Sequence, residues 1–491
     1  MIWKIAKKEF LLNLMTFKFA VGTIVCVVLM AVFVPILAKA YQERLKTYNE
    51  NVSYNEAELC KVTVYKNITP TIYRPPSMLA VFSEGLEKQL GNSATINYNE
   101  VPEISAAAAN HYLSIFSIFD ASLIFKIVIS VLALLVAYDA ISGERERGTL
   151  RLMLSCTAAR YQVLLGKLLA GLMVLVVPVT IAFILGLVIL LSFPMVDLAG
   201  SDWIRIGFML LSSLVFIATM YNLGLLFSCL ARRSAFSLVL GLFLWIIFVV
   251  VIPNGSVYLA TQTRPVEPED KINEQIASLR RDAGREFDSE LERSGRSYQG
   301  GGTRRDKPGR GGFGHGYVRS CNKIFMENNL ITYSIWVPIE IKYANKYSEV
   351  EYGHLRDLFE QTRLANNLSR ISPVSLYENV MSALAGTDMD SFRHFIDAVK
   401  AYRNDIVEYI RSRTDNFSSS LFFTPCTEEE TELLPGDDAP PLDLRDLPRF
   451  TYKVDIVASV RRAIPDLALL IFGNILFFAM AFVAFLRYDV R

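Results

Sequence analysis

LLAGLMVLVVPVTIAFILGLVILLSF, Leu168–Phe193, runs for 26 residues without one ionisable side chain. A helix rises about 1.5 Å per residue, so about 20 apolar residues cross the hydrocarbon core of a bilayer. Lipid cannot satisfy free backbone N–H and C=O groups, whereas a helix satisfies its own. The stretch therefore reads as a membrane span, 168–193. Working outward, five more segments have the same character: 19–38, 116–138, 206–230, 234–252 and 466–486. Their apolar cores are Phe19–Leu37, Ala121–Tyr138, Ile206–Leu230, Phe236–Ile252 and Leu467–Leu486, and Lys126 is the one charge near the start of the second. The first is preceded by eighteen residues and lacks an A-x-A-type site, so it reads as a retained helix rather than a signal peptide. Composition agrees, with 52% hydrophobic and 20% charged residues among 491 and a mean hydropathy of +0.31. That excludes a disordered chain and a strongly basic nucleic-acid binder, and it disfavours a soluble enzyme.

Orientation follows from the short connecting segments. With the N-terminus inside, the inner segments carry Lys4, Lys7, Lys8 and Lys18, then Arg145, Arg147, Arg151, Arg160 and Lys167, then Arg232 and Arg233, then Arg487 and Arg491. The opposing acids are Glu9, Asp139, Glu144, Glu146 and Asp489. Each inner segment is net positive, so both termini are expected in the cytoplasm, with 487–491 as a short tail. The outside then receives residues 39–115 and 253–465. The stretch Asn254–Ile464 has 28 basic and 32 acidic residues and hence no inward bias.

The larger outer segment begins with Ile272, Ile276, Leu279, Ala283 and Phe287 at helical spacing among charges. Residues 294–319 are Gly- and Arg-rich, and a flexible surface loop is favoured over an RNA-binding RGG-like segment. Helical spacing returns in Leu355, Phe359, Leu364 and Leu368, and again in Phe392, Phe395, Val399, Tyr402, Ile406 and Ile410. Ser372-Pro373 and Ala385-Gly386-Thr387 mark breaks between these helices. The expected domain is mostly helical, with strand content left open at Lys323–Ala344.

Known catalytic constellations do not emerge. Gly143–Thr149, GERERGT, has P-loop-like glycine spacing but no Lys before its Thr. His111, His315, His354 and His394 are scattered without metal-ligand spacing. Cys60, Cys321 and Cys426 would face the oxidising side, where one disulfide among them is an open alternative; Cys26, Cys156 and Cys229 would not. Polar residues inside spans are candidates for a translocation path because lipid penalises them. Tyr221, Asn222 and Asn474 are these candidates, with interhelical hydrogen bonding as the plainer reading.

The inner loop YDAISGERERGTLRLMLSCTAARYQVLLGK, Tyr138–Lys167, is more specific. It combines a charged Glu144-Arg145-Glu146-Arg147 cluster, a break at Gly148 and a short amphipathic helix on Leu150, Met153 and Leu154, too short to span. Asp139, Ser142-Gly143-Glu144, Glu146, Gly148-Thr149-Leu150 and Gly166-Lys167 together make the loop resemble that of ABC-2-type transporter permeases. The N-terminal segment 1–18, IWKIAKKEFLLNL at its centre, is similar to the amphipathic elbow helix of that family. Six spans and a C-terminal FLRYDVR also fit. The two outer insertions, with SPVSLYENVMSALAGTD (Ser372–Asp388) and DLPRF (Asp446–Phe450), resemble the subgroup of gliding-motility and nitrous-oxide-reductase maturation permeases.

The resemblance implies an all-α polytopic membrane protein of ABC-2 exporter type, with six transmembrane helices and a mostly helical extracytoplasmic domain. It implies a permease subunit that couples ATP hydrolysis on a separate chain to movement of a substrate, in the export direction. The alternative is a membrane anchor that uses the ATPase to assemble or drive extracytoplasmic partners. In either case the chain is not itself an enzyme and holds no cofactor. ATP and Mg would belong to two copies of a nucleotide-binding subunit, beside a second permease copy or paralogue, in a bacterial inner membrane. No nucleic-acid partner is expected, and an extracytoplasmic protein partner fits the insertions. The coupling contact, within 139–167, would be Glu144, Arg145, Glu146, Arg147, Gly148, Thr149 and Leu150.

Overall fold

The computed structural model describes the chain apart from residues 1, 88–89, 106–120, 151–152, 154–158, 195, 197, 295–317, 320–322, 415, 418–420, 422–433, 436–440, 453–454 and 488–491, and the side chains of 318–319, 323–333 and 434–435. Leu154, the Gly/Arg-rich loop, His111, His315, Cys156, Cys321 and Cys426 fall outside the described residues. Among the described residues six helical stretches are long and apolar enough to cross a membrane, and the chain is an all-α polytopic membrane protein with an additional helical region.

Helix α1 (Ile2–Leu14) precedes the first span. Helix α2 (Phe17–Leu59) starts at Thr16, whose hydroxyl accepts the Phe19 N–H at 3.4 Å, and it runs through Pro35 well beyond its apolar stretch. The second span comprises α3 (Ala121–Ile124), a π turn at Phe125–Ile129 and α4 (Ser130–Ala137). Helix α5 (Ser142–Glu146) lies in the loop that follows, before α6 (Arg160–Leu191) and α7 (Gly200–Leu230). Helix α8 (Ser234–Ile246) continues through a second π turn, Ile247–Val251, into α9 (Ile252–Thr263).

Beyond the fifth span come α10 (Glu269–Arg293), α11 (Lys323–Ser369), α12 (Pro373–Ala385) and α13 (Met389–Arg413), and α14 (Ile456–Leu486) returns as the sixth span. The stretch from Lys323 to Ala344, open in the sequence, is helical. A small antiparallel sheet in the first insertion has the order β1 (Thr71–Tyr73), β2 (Ser93–Thr95), β3 (Glu103–Ser105), with Ala94 facing Ile72 and Ile104. A two-residue pair joins β4 (Val318–Arg319) to β5 (Leu434–Pro435).

Helix α7 is the centre of the bundle: Phe216, Met220, Tyr221, Asn222 and Leu225 are all buried, and α4, α8, α12 and α14 pack around it. By contrast α8, the π turn after it and α14 leave Phe243, Val250, Phe472 and Ile475 exposed, as expected of side chains that meet lipid. The two insertions share one core, in which Ile68, Ile72, Ala94 and Ile96 pack with Phe392, Phe395, Val399, Ile406 and Ile410. Alongside, Phe287 of α10 meets the Trp336 ring of α11 edge-on at 4.9 Å. The helical faces read from the sequence at Ile272, Ala283 and Phe287, and from Phe392 to Ile410, are the buried ones.

Helix α12 departs from the rest of the insertion. Its Val374, Leu376, Tyr377, Val380, Met381 and Leu384 belong to the core of the membrane bundle, not to that of the insertions. The boundaries follow from capping. Ser372 accepts the Val374 and Ser375 N–H groups, Pro373 occupies the first turn, and Gly386 ends the helix in the left-handed region at φ +73°.

Candidate functional site

The loop after the second span is pinned to α7. Ser228 Oγ accepts the N–H groups of Ile141 at 2.9 Å and Ser142 at 3.0 Å, and Arg145 Nη1 donates to the Ala231 carbonyl at 2.9 Å. Glu146 accepts the Ser234 N–H at 3.2 Å and its hydroxyl at 2.6 Å, so a carboxylate sits at the start of α8, where the helix dipole favours it. Arg147 Nε folds back on the Gly143 carbonyl at 3.0 Å, and Gly148 turns the chain at φ +75° with no neighbour near an added Cβ. Thr149 donates to the Glu144 carbonyl at 3.3 Å, and Leu150 is fully buried in the bundle core.

The charged cluster thus divides. Glu146, Arg147, Gly148 and Thr149 are exposed, whereas the Glu144 side chain is only 13% exposed and accepts from Lys167 Nζ at 2.8 Å. Lys167, 2% exposed, also donates to Glu9 of α1 at 3.2 Å. Spacing along the loop gave no sign of this division, because Glu144 and Glu146 look alike in sequence.

Of the three polar candidates within the spans, Asn222 and Asn474 meet, whereas Tyr221 faces α6. Tyr221 donates its hydroxyl to the Lys167 carbonyl at 2.9 Å. Asn222, 1% exposed, donates Nδ2 to Asn474 Oδ1 at 2.9 Å, which joins α7 to α14. Among the described residues, its own Oδ1 is buried with no hydrogen-bond partner. Thr219, one turn earlier on α7, reaches the Leu470 carbonyl on the same seam at 3.4 Å.

At the opposite end of the bundle, α12 and its N-cap residue are bonded to three spans. Lys126 pairs with Glu378. Tyr377 stacks on Phe216 at 4.5 Å, and its hydroxyl is 3.1 Å from Ser213 Oγ. Ser372 Oγ donates to the Phe248 carbonyl at 2.7 Å, within the π turn of the fifth span, where regular helix bonding is interrupted. Trp245 Nε1 donates to Ser130 at 2.8 Å, next to the other π turn. Around this seat, Arg370 pairs with Asp466 at 2.6 Å and Arg462 with Asp388 at 3.1 Å. Burial pushes the Asp388 carboxyl above the usual carboxylate range, against the pull of Arg462. Sequence reasoning found the ends of α12 but not its seat, because its partners lie far away along the chain.

The six-span bundle agrees with what comparison with known proteins finds. A segment of 125 residues, 25% of this chain, is 40% identical to the probable ABC transporter permease protein NosY of Stutzerimonas stutzeri and, at the same identity, to that of Pseudomonas aeruginosa. The match spans 44% of each relative's length. The family model for ABC-2 family transporter proteins matches residues 3–490, and the chain belongs to that family.

Proposed function

We propose that this chain is the permease subunit of an ATP-binding cassette transporter, in which a separate nucleotide-binding subunit hydrolyses ATP and two copies of it serve a pair of permeases. The observation that carries this reading is the exposed turn Glu146–Thr149, fixed from behind by Glu144–Lys167, Arg145–Ala231 and Glu146–Ser234. A rigid, charged protrusion at one end of a membrane bundle suits register-setting contact with a mobile partner. The proposed frame places both termini and this loop in the cytoplasm of a bacterial inner membrane and the two insertions outside it, as in the segment boundaries given above. Movement of substrate is outward, past the α7–α14 seam, where the unpartnered Asn222 Oδ1 awaits a polar group. Chain motion of the two permease halves follows from the partner ATPase binding ATP more tightly in one arrangement.

A second reading, a membrane anchor that uses the ATPase to drive extracytoplasmic partners, is favoured by the shared core of the two insertions, a separate folded body outside the spans. One experiment addresses the common part. Co-expression with a candidate ABC-type ATP-binding subunit from the same organism, followed by purification through this chain, should retain the ATPase, and Arg147→Glu should release it. A wild-type chain that retains no ATPase refutes both readings, and a continuous cavity between paired copies separates transport from anchoring.

A further inference from the structure

Gly166 and Lys167 open the third span, and both face the N-terminal helix. A Cβ on Gly166 would lie 2.8 Å from Ile5 Cγ2 and 3.0 Å from Ile5 Cβ, so glycine lets α1 lie directly against α6. One residue on, the Lys167 ammonium is enclosed, donating to Glu9 of α1 and Glu144 of the loop. Its backbone carbonyl accepts from Tyr221 of α7. Four segments therefore meet at one residue. The loop already has other anchors to α7 through Ser228 and Ala231, which a purely structural role would leave sufficient. What Lys167 adds is a bond from the loop to α1.

Two carboxylates share this ammonium unequally, and among the described residues Glu144 Oε2 is buried without a hydrogen-bond partner. Such an arrangement holds the loop to α1 firmly while leaving Glu144 incompletely satisfied. We propose that Lys167, with Glu9, is a positioning pair that makes α1, the loop and the start of α6 one mechanical unit, so that a push on the exposed turn also moves the N-terminal helix. This rests on the reading of that turn as the ATPase contact. Lysine does here what a methionine of similar length could not, since the charge binds two acids on separate segments at once.

The test uses the full complex with the ATP-binding subunit, and variants Lys167→Met, Lys167→Arg and Glu9→Gln. ATPase retention and its stimulation by this chain are measured separately. Spin labels on Lys7→Cys and Thr149→Cys, in a background without native exposed cysteines, report the distance between α1 and the turn. Lys167→Met removes one of the three braces of the turn but leaves Arg145–Ala231 and Glu146–Ser234, so part of the ATPase should stay bound, and stimulation per bound ATPase should fall by roughly 5–150-fold, the usual range of coupling between sites. It should also broaden the α1–turn distance distribution, and Lys167→Arg should restore both. Glu9→Gln, which leaves Lys167 paired with Glu144, should lower stimulation in the same sense and serves if Lys167→Met fails to fold. Wild-type stimulation and an unchanged distance in Glu9→Gln overturn the proposal. If the wild-type chain binds no ATPase, the contact reading fails, and the distance measurement still decides on its own whether the unit exists.

Discussion

Replacing Gly171 by alanine should destabilise the bundle at its most crowded contact. A Cβ at Gly171 would sit 2.1 Å from Tyr221 Cζ, 2.3 Å from Cε2 and 2.3 Å from the hydroxyl oxygen, far inside ordinary contact. Tyr221 is 1% exposed, so its ring cannot swing into solvent, and its hydroxyl bond to the Lys167 carbonyl fixes it in place. Overpacking of a filled core costs about 1–3 kcal/mol. Displacing the ring also breaks a buried hydrogen bond with a net contribution of about 0.5–1.5 kcal/mol. Together these give roughly 1.5–4.5 kcal/mol. The effect should appear as a lowered thermal midpoint of the purified protein in one detergent at a fixed scan rate, because unfolding of such a chain is kinetically controlled. Tyr221→Leu in the same chain should relieve the clash, so that the double variant is less destabilised than the two single changes added together. Strict additivity, or a Gly171→Ala midpoint equal to wild type, would refute the argument, since either requires the Tyr221 ring to lie away from Gly171.

Two other outcomes follow from named contacts. Asn222→Leu combined with Asn474→Leu removes one interhelical hydrogen bond, worth on average about 0.6 kcal/mol in a membrane, so folding should survive. Loss of transport in a reconstituted complex, with ATPase binding intact, would then place the seam on the substrate path, and full transport would leave it a packing feature. In the insertion, Arg445 holds the exposed Asp443 carboxyl down at about 2 through a 2.8 Å ion pair. A folded-state value below the unfolded one gives a stability contribution that is complete above pH 3.8 and is lost as pH falls through about 2. Solvent screening keeps it small. A pH series of unfolding midpoints from 5 to 2 should show a slightly shallower acid decline in Asp443→Asn, and a steeper decline would contradict the sign.

Hydropathy alone revealed the spans, because lipid imposes one solution on about 20 consecutive apolar residues. Helical periodicity likewise disclosed the buried face of α13, from Phe392 to Ile410. Capping chemistry showed where α12 begins and ends, since Ser372, Pro373 and Gly386 act on their own backbone neighbours. None of these local signals says which body a helix joins. The apolar face of α12 would serve equally in the insertion core, and it sits among the spans because Ser213, Phe216, Lys126 and Phe248 complement its Tyr377, Glu378 and Ser372. The same limit applies to charge. Glu144 and Glu146 stand two apart in one run, and a helical turn points them in different directions, one to Lys167 and one to Ser234. A glycine beside a lysine at 166–167 was visible as a pattern, but its physical content is a close approach by Ile5 and a bond to Glu9, both some 160 residues earlier. Residues whose roles depend on such distant partners are where variants should be most informative, because their effects test the assembled bundle and not the helices one at a time.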